Sequence, residues 1–179
     1  GFAPIAERLG RIYWSAEVFN CQAPDLPNME MLQKVGTEAQ QDRWLRPLLE
    51  GKTKSGFAMT EPQTASSDAR NIACRIEDKG DHFVLNGHKW FVGNTGLDNW
   101  AFIVVIGQSD PEAAPNARHS AVIVPTDAEG LHVVREVPMI GFQHRFRPHG
   151  EVILKDVVVP RENLLGEKGA GFEAAQVRL

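Results

Sequence analysis

The spacing of apolar residues changes character at Gly51, and that change constrains the fold more than any other feature of the chain. Beyond it, apolar residues fall in short alternating stretches separated by Gly, Pro, Asn and Asp. The stretches are Ser55–Met59, Ala73–Asp78, His82–Asn86, His88–Val92, Trp100–Gln108, Ser120–Pro125, Leu131–Glu136 and Glu151–Val159. Alternation of this kind marks β-strands. Parallel strands need a crossover, usually a helix, and no helical pattern of about ten residues separates these stretches. The expected fold class is therefore α+β, with a mainly antiparallel β-barrel or sandwich over residues 54–165. Trp100–Gln108 is almost continuously apolar and should be buried on both faces. Asn86-Gly87 predicts a tight hairpin between two of the strands.

Upstream of Gly51 the period is helical. Ile5, Arg8, Leu9, Ile12 and Tyr13 recur at three- and four-residue steps. Asn20–Asn28, rich in Pro, Asn and Asp, should break the pattern, and Met29–Val35 should form a further short helix stopped by Gly36. Thr37-Glu38-Ala39-Gln40 reads as a capping box opening a helix that ends at Pro47 or shortly after. A last helix begins at Gly171 and is short for an independent element. The expected organisation is the end of a helical domain (1–53), a β-domain (54–165), and a linker with the first turns of another helical domain (166–179).

The chain has 179 residues, 42% hydrophobic and 23% charged, which excludes a disordered chain. A net charge of -4 offers no global basic field for nucleic acid. The longest apolar run, Trp100–Ile106, is far short of the roughly 20 residues of a membrane helix. The opening Gly1-Phe2-Ala3-Pro4 carries no charged stretch before an apolar core, so no secretory leader is expected. Cys21 and Cys74 lie far apart in sequence, and reduced thiols are the expected state. No metal-ligand spacing is present.

Four segments could carry chemistry. Phe57-Ala58-Met59-Thr60-Glu61-Pro62, followed by Ala65-Ser66-Ser67-Asp68, is a strand end running into a small-residue polar loop. Such a loop offers N–H groups and hydroxyls to an anion or a heterocycle, or is simply a turn with Asp68 as a cap. In Gly87–Asn94, the adjacent Trp90 and Phe91 should point to opposite faces, one into the core and one free to stack on a planar ligand. Gly166–Phe172 lacks the lysine pattern and preceding strand of a phosphate loop and suits a tight helix entry. His144, Arg145, Arg147 and His149 form a cationic stretch that could face an acidic ligand or be a solvated loop. No nucleophile and base are paired by the spacing, and Glu61 suits a turn role beside Pro62.

Taken in order, these motifs resemble the acyl-CoA dehydrogenase family of flavoproteins. Met59-Thr60-Glu61-Pro62 with Ser67-Asp68 is similar to that family's "TEP…GSD" signature, and Asn86-Gly87-His88-Lys89-Trp90-Phe91 to its "NGxKxW". Gly107-Gln108-Ser109, Val157–Gly166 and Gly169-Ala170-Gly171-Phe172 extend the resemblance over nearly the whole chain. The resemblance implies FAD as cofactor, an acyl-CoA thioester as substrate and an electron-transferring flavoprotein or similar acceptor as partner. It also implies a homo-oligomer, dimer or tetramer, in the full-length protein. The location implied is the cytoplasm in a bacterium, or the mitochondrial matrix in a eukaryote.

By the same resemblance, Phe57, Met59 and Thr60 would line the flavin, with Phe91, Val92 and Gly93 on the same wall. Ser67 would lie where the FAD phosphate and the thioester arm approach each other, and so would touch substrate as well as cofactor. The catalytic carboxylate would come from the helical bundle beyond Leu179, leaving this chain without its base. Two positions depart from the family pattern. Phe91 stands in place of a tryptophan that packs on the flavin, and Gly93 in place of a threonine or serine whose hydroxyl meets flavin N5. The second departure removes a hydrogen bond worth about 0.5–1.5 kcal/mol, and threonine at position 93 is expected to raise FAD retention. The same scaffold also serves flavin-dependent oxidases and monooxygenases, and a degenerate, non-catalytic homologue is a third reading.

Overall fold

The computed structural model describes residues 2–140 and 147–177. It is an α+β fold built on eight strands. They are β1 (Lys54–Ala58), β2 (Arg75–Asp78), β3 (His82–Gly93), β4 (Trp100–Gln108), β5 (His119–Pro125), β6 (Leu131–Glu136), β7 (His149–Pro160) and β8 (Leu164–Leu165). The hydrogen-bonded order is β6-β7-β3-β2-β4-β5-β8, with β1 also paired to β4. The ladders are mostly antiparallel, as the alternation implies. Phe102–Ile106 of β4 and Ala121–Val124 of β5 are buried without interruption and form the centre of the core.

Two ladders are parallel. β1 runs beside Trp100–Val105, and Arg75 of β2 pairs with Gln108 further along β4. The chain therefore leaves the sheet after Ala58 and rejoins the same neighbour at Arg75, so that residues 59–74 form a loop outside the ladder.

β3 corrects the hairpin expected at Asn86-Gly87. The strand continues through both residues, paired with β7, and its ladder shifts register between Leu85 and Gly87. Asn86 bonds across the sheet, Nδ2 donating to Asp156 Oδ1 (3.0 Å) and Oδ1 accepting from the Asp156 N–H (2.9 Å). A Cβ on Gly87 would lie 2.5 Å from Cys74 Sγ, so glycine is needed here for close approach at a bulge. The hairpin that does form joins β2 to β3 at Lys79–Asp81.

The helices are α1 (Ala3–Leu9), α2 (Ser15–Val18), α3 (Asp25–Val35), α4 (Glu38–Gln40), α5 (Arg46–Leu49) and α6 (Gly171–Gln176). The capping box forms: Thr37 Oγ1 accepts the Gln40 N–H, and Gln40 Oε1 accepts the Thr37 N–H. Gln40 Nε2 also donates to the carbonyls of Glu162 and Leu164 (2.7 and 2.8 Å), which fastens this helix start to the end of the sheet. The helical path ends at Leu49, shortly after Pro47 as expected, and includes a π-helical stretch, Gln41–Leu45, before the proline.

The break expected over Asn20–Asn28 is shorter than that, because Asp25, Pro27 and Asn28 belong to α3. Their polar side chains are drawn inward. Asp25 Oδ1 accepts from the Ser55 N–H and hydroxyl (both 2.8 Å), and Asn94 Nδ2 donates to both Asp25 oxygens. Lys54 Nζ bridges Asp25 and Glu17. Burial would lower the Lys54 pKa, but these two carboxylates outweigh it and raise the pKa above its ordinary value. Trp44 packs on Phe102 with ring centroids 5.1 Å apart, joining the helices to the core of the sheet. Both cysteines are free thiols.

Candidate functional site

The loop after β1 is held by three successive residues of β3. Lys89 is fully buried and its Nζ donates to Glu61 Oε1, the Met59 carbonyl and the Ile106 carbonyl, each at 2.8 Å. Trp90 donates its N–H to the Thr60 carbonyl (3.1 Å). On the opposite face His88 Nδ1 meets Gln63 Nε2 at 2.5 Å, while His88 Nε2 meets Glu151 Oε1 at 2.7 Å. Glu61 is buried too, and its carboxylate accepts the N–H groups of Ala73 and Cys74 (both 2.8 Å) at the far end of the loop. Burial pushes the Glu61 pKa up, but the Lys89 charge and these hydrogen bonds hold it below the ordinary carboxylate value. Glu61 is thus the internal tie of the whole loop, a larger role than a turn beside Pro62.

The middle of the loop is ordered by its own polar residues. Ser66 Oγ accepts the Glu61 N–H (2.8 Å), and Asp68 caps the 3₁₀ turn Ala69–Asn71 by accepting the Arg70 N–H (3.0 Å). Side-chain hydrogen bonds from Arg70, with the backbone N–H, hold the Asp68 carboxyl at a pKa of about 2.

This construction places two grooves side by side. The first, of about 290 Å³, is walled by Phe57, Met59, Thr60, Phe91 and Gly93, with Pro24 and His149 at its border. The second, of about 580 Å³, lies between the loop and α6 and takes in Ser67, Asp68, His119, Phe172 and Gln176. Met59 lines both. Five of the residues singled out from sequence therefore share one groove. Ser67 sits in the neighbouring one, and Val92 is fully buried, so its side chain belongs to the core.

Trp90 and Phe91 do not divide between core and solvent. Phe91 has φ of 54°, a left-handed conformation rare for a bulky residue, and the β3–β7 register slips between Lys89 and Val92. The alternation is broken there. The rings of Trp90 and Phe91 lie together, centroids 4.7 Å apart, and Phe91 is left 39% exposed on the groove wall. The residue that enters the core in their place is Lys89.

Gly93 has the backbone freedom for a side chain, but the space is tight. A Cβ there would lie 3.0 Å from Pro24 Cδ, so the ring of Pro24 would have to give by a few tenths of an ångström to admit a threonine. Pro24 carried no signal from sequence beyond its turn propensity. Lys89 carried one: a lysine among the inward positions of an apolar strand must find a carboxylate. Of the cationic stretch, His144 and Arg145 lie outside the described residues. His149 borders the first groove, and the Arg147 guanidinium lies over the Tyr13 ring at 5.7 Å. Gly166–Phe172 forms a tight helix entry: Gly166 and Gly169 take positive φ, and a Cβ on Gly171 would fall 2.5 Å from the Ser120 carbonyl carbon.

A groove with an exposed aromatic wall, the Thr60 side chain and a floor without a side chain at Gly93 fits a flat, largely apolar heterocycle. The adjoining groove suits a narrower, partly polar chain that ends at Met59. The family model for the acyl-CoA dehydrogenase middle domain matches residues 56–157, more than half of the chain and most of its sheet. The chain belongs to the acyl-CoA dehydrogenase family. It is 46% identical over 182 residues to the protein named "Probable acyl-CoA dehydrogenase FadE2" of Mycobacterium tuberculosis, covering 99% of this chain and 44% of that one. The solved structure of a "putative acyl-CoA dehydrogenase" from Mycobacterium abscessus superposes with a TM-score of 0.96 at 44% identity, again over 99% of this chain and 44% of the other. Butyryl-CoA dehydrogenase from Megasphaera elsdenii gives a TM-score of 0.78 at 29% identity, over 92% of this chain and 41% of that chain. The chain thus spans less than half the length of these relatives.

Proposed function

We propose that the chain is the central part of an FAD-dependent acyl-CoA dehydrogenase, which removes the α-proton and a β-hydride from an acyl-CoA thioester to leave an α,β double bond. The observation that carries this reading is the meeting of the two grooves at Met59. One fits the flavin ring and the other the thioester arm, and the shared residue lies where reacting ends would come together. FAD, when bound, supplies the hydride acceptor.

The residues of this chain bind, orient and exclude water. Phe57, Met59 and Phe91 present apolar surface to the ring, and the Thr60 hydroxyl and backbone offer it hydrogen bonds. Val92 and Gly93 contribute backbone. Ser67 offers its hydroxyl in the second groove. The Lys89–Glu61 tie fixes Met59 and Thr60 so that these contacts are preorganised.

The general base lies outside this chain. Among the described residues the first groove has no carboxylate, and the second has Asp68, whose pKa of about 2 makes it a weak base. The proposed division of the chain is at 53/54 and 165/166, with the base on helices that follow. Residues 1–179 alone are then expected to be colourless and inactive toward acyl-CoA. An electron-transferring flavoprotein or a similar acceptor reoxidises the full enzyme, which assembles as a homo-oligomer in the bacterial cytoplasm or the mitochondrial matrix.

The test is FAD affinity and steady-state kinetics of the full-length protein. Phe91→Ala and Thr60→Val should each weaken FAD binding by about three- to tenfold, while Ser67→Ala should raise KM for acyl-CoA. Unchanged FAD affinity in both wall variants would remove the flavin from this groove.

A further inference from the structure

A third groove, of about 240 Å³, lies beyond the flavin-sized one, lined in part by Phe2, Leu9, Ile12 and Tyr13 at the start of the chain, with Cys21 and Arg147. The two grooves adjoin along both walls. Cys21 of the third leads to Ala23 of the first, and Arg147 of the third to His149 of the first, two residues on in each case. Two residues of chain span at most about 7 Å. The third groove is apolar apart from one charge, and no carboxylate lines it among the described residues. That charge belongs to the cationic stretch singled out from sequence, for which the flavin site has no use. Arg46, Arg70, Arg135 and Arg161 each hold a carboxylate, of Asp42, Asp68, Glu151 and Asp78. Arg147 holds none among the described residues. It is half-buried, and its guanidinium lies over the Tyr13 ring at 5.7 Å. An aromatic ring against the face of a guanidinium leaves its in-plane N–H fork for an acceptor.

An apolar trough with one such cation suits a ligand that is hydrocarbon along its length and anionic at its end. A carboxylate matches the guanidinium fork with two parallel hydrogen bonds. We propose that Arg147 is a specificity-determining residue that binds a carboxylate at the far end of the acyl chain, so that the substrate is the CoA thioester of a dicarboxylic acid. This rests on the reaction proposed above and adds the class of acyl group on which it acts. The methylenes between thioester and carboxylate lie against Leu9, Ile12 and Tyr13, and such contacts serve a methyl-ended chain equally well. The discrimination comes from charge. A methyl end takes water from the guanidinium and offers no hydrogen bond in return, whereas a carboxylate replaces that water with a charge-assisted pair.

The test uses the full-length FAD-loaded protein and pairs of acyl-CoA thioesters of equal chain length, one of each pair ending in a methyl group and the other in a carboxylate. For at least one length, wild type should have the higher kcat/KM with the carboxylate-ended partner. In Arg147→Gln the ratio of the two kcat/KM values should fall by about ten- to hundredfold, the worth of a hydrogen-bonded charge. A general loss of folded protein moves both values together, so the ratio reads the charge alone. Arg147→Lys, which keeps the charge without the fork, should fall between the two and decides the matter should Arg147→Gln fail to fold. FAD content is measured on the same samples, because loss of FAD in Arg147→Gln would assign the cation to the cofactor's phosphates and overturn the proposal. A wild type that favours the methyl-ended chain at every length, or a ratio that neither variant changes, would overturn the role of Arg147 and leave the proposed function standing. Flavin-loaded wild type that oxidises neither member of any pair would overturn both.

Discussion

At Gly93 the exchange of one residue type for another has to be read together with its neighbour. The sequence suggests a missing hydroxyl that threonine would restore. The structure adds that Pro24 stands close, 3.0 Å from where a Cβ would lie. Gly93→Thr is therefore expected to force Pro24 aside and destabilise the protein by about 1–3 kcal/mol, the usual range for overpacking. The double variant Gly93→Thr/Pro24→Ala should recover most of that in thermal unfolding. If Gly93→Thr alone is as stable as wild type, the packing account of this glycine fails. The Glu61–Lys89 pair makes a second prediction at this scale. Lys89→Met leaves a buried carboxylate with two backbone N–H groups and no counter-charge, and should cost about 3–5 kcal/mol. Adding Glu61→Gln should return part of the loss, because the uncompensated charge is then gone. Denaturant unfolding of the three proteins checks both statements. The groove residues Phe57, Met59, Thr60, Phe91 and Gly93 were legible as short motifs. His119 and Pro24 were not, because each reaches its groove through contacts distant in sequence.

Elements were readable where the signal was local. The capping box at Thr37 and the buried strand at Trp100–Gln108 are set by neighbours within a few residues, and both form. Asn86-Gly87 misleads because its partners are remote: Asp156 across the sheet and Cys74 against the glycine. The parallel register of β1 with β4 is likewise a non-local choice that alternation cannot encode. Asp78, at the end of β2, ties the opposite edge together by accepting from Arg161 (2.8 Å) and Lys168 (3.0 Å) in the segment that leads to α6. The hydrogen bond from Lys168, with the Gly80 N–H and Arg161, lowers its pKa to about 2. An unfolded aspartate titrates near 3.9, so the carboxylate binds its proton more readily in the unfolded chain. The stability it contributes is complete above that value and is lost as pH falls from about 4 toward about 2. Asp78→Asn should lower the melting temperature at neutral pH by on the order of 2–4 °C, and the gap to wild type should close through that acid window. A gap that stays constant down to about pH 2 would show that the ion pairs add nothing.

For the whole molecule, the decisive fact is that the chain accounts for 44% of the length of FadE2 and an equal share of the Mycobacterium abscessus structure it matches so closely. What it supplies is a sheet from which one loop departs between β1 and β2, with that loop clamped by a buried lysine and opened into two grooves that share Met59. The fold class could be read from periodicity, and the family from motifs. The most direct measurement is the visible spectrum of the full-length protein, purified, mixed anaerobically with a panel of acyl-CoA thioesters. About one bound flavin per chain is expected, bleached in a single turnover by at least one thioester, with the matching α,β-unsaturated product formed in equal amount. A protein that binds no flavin, or a bound flavin that no acyl-CoA reduces, would contradict it.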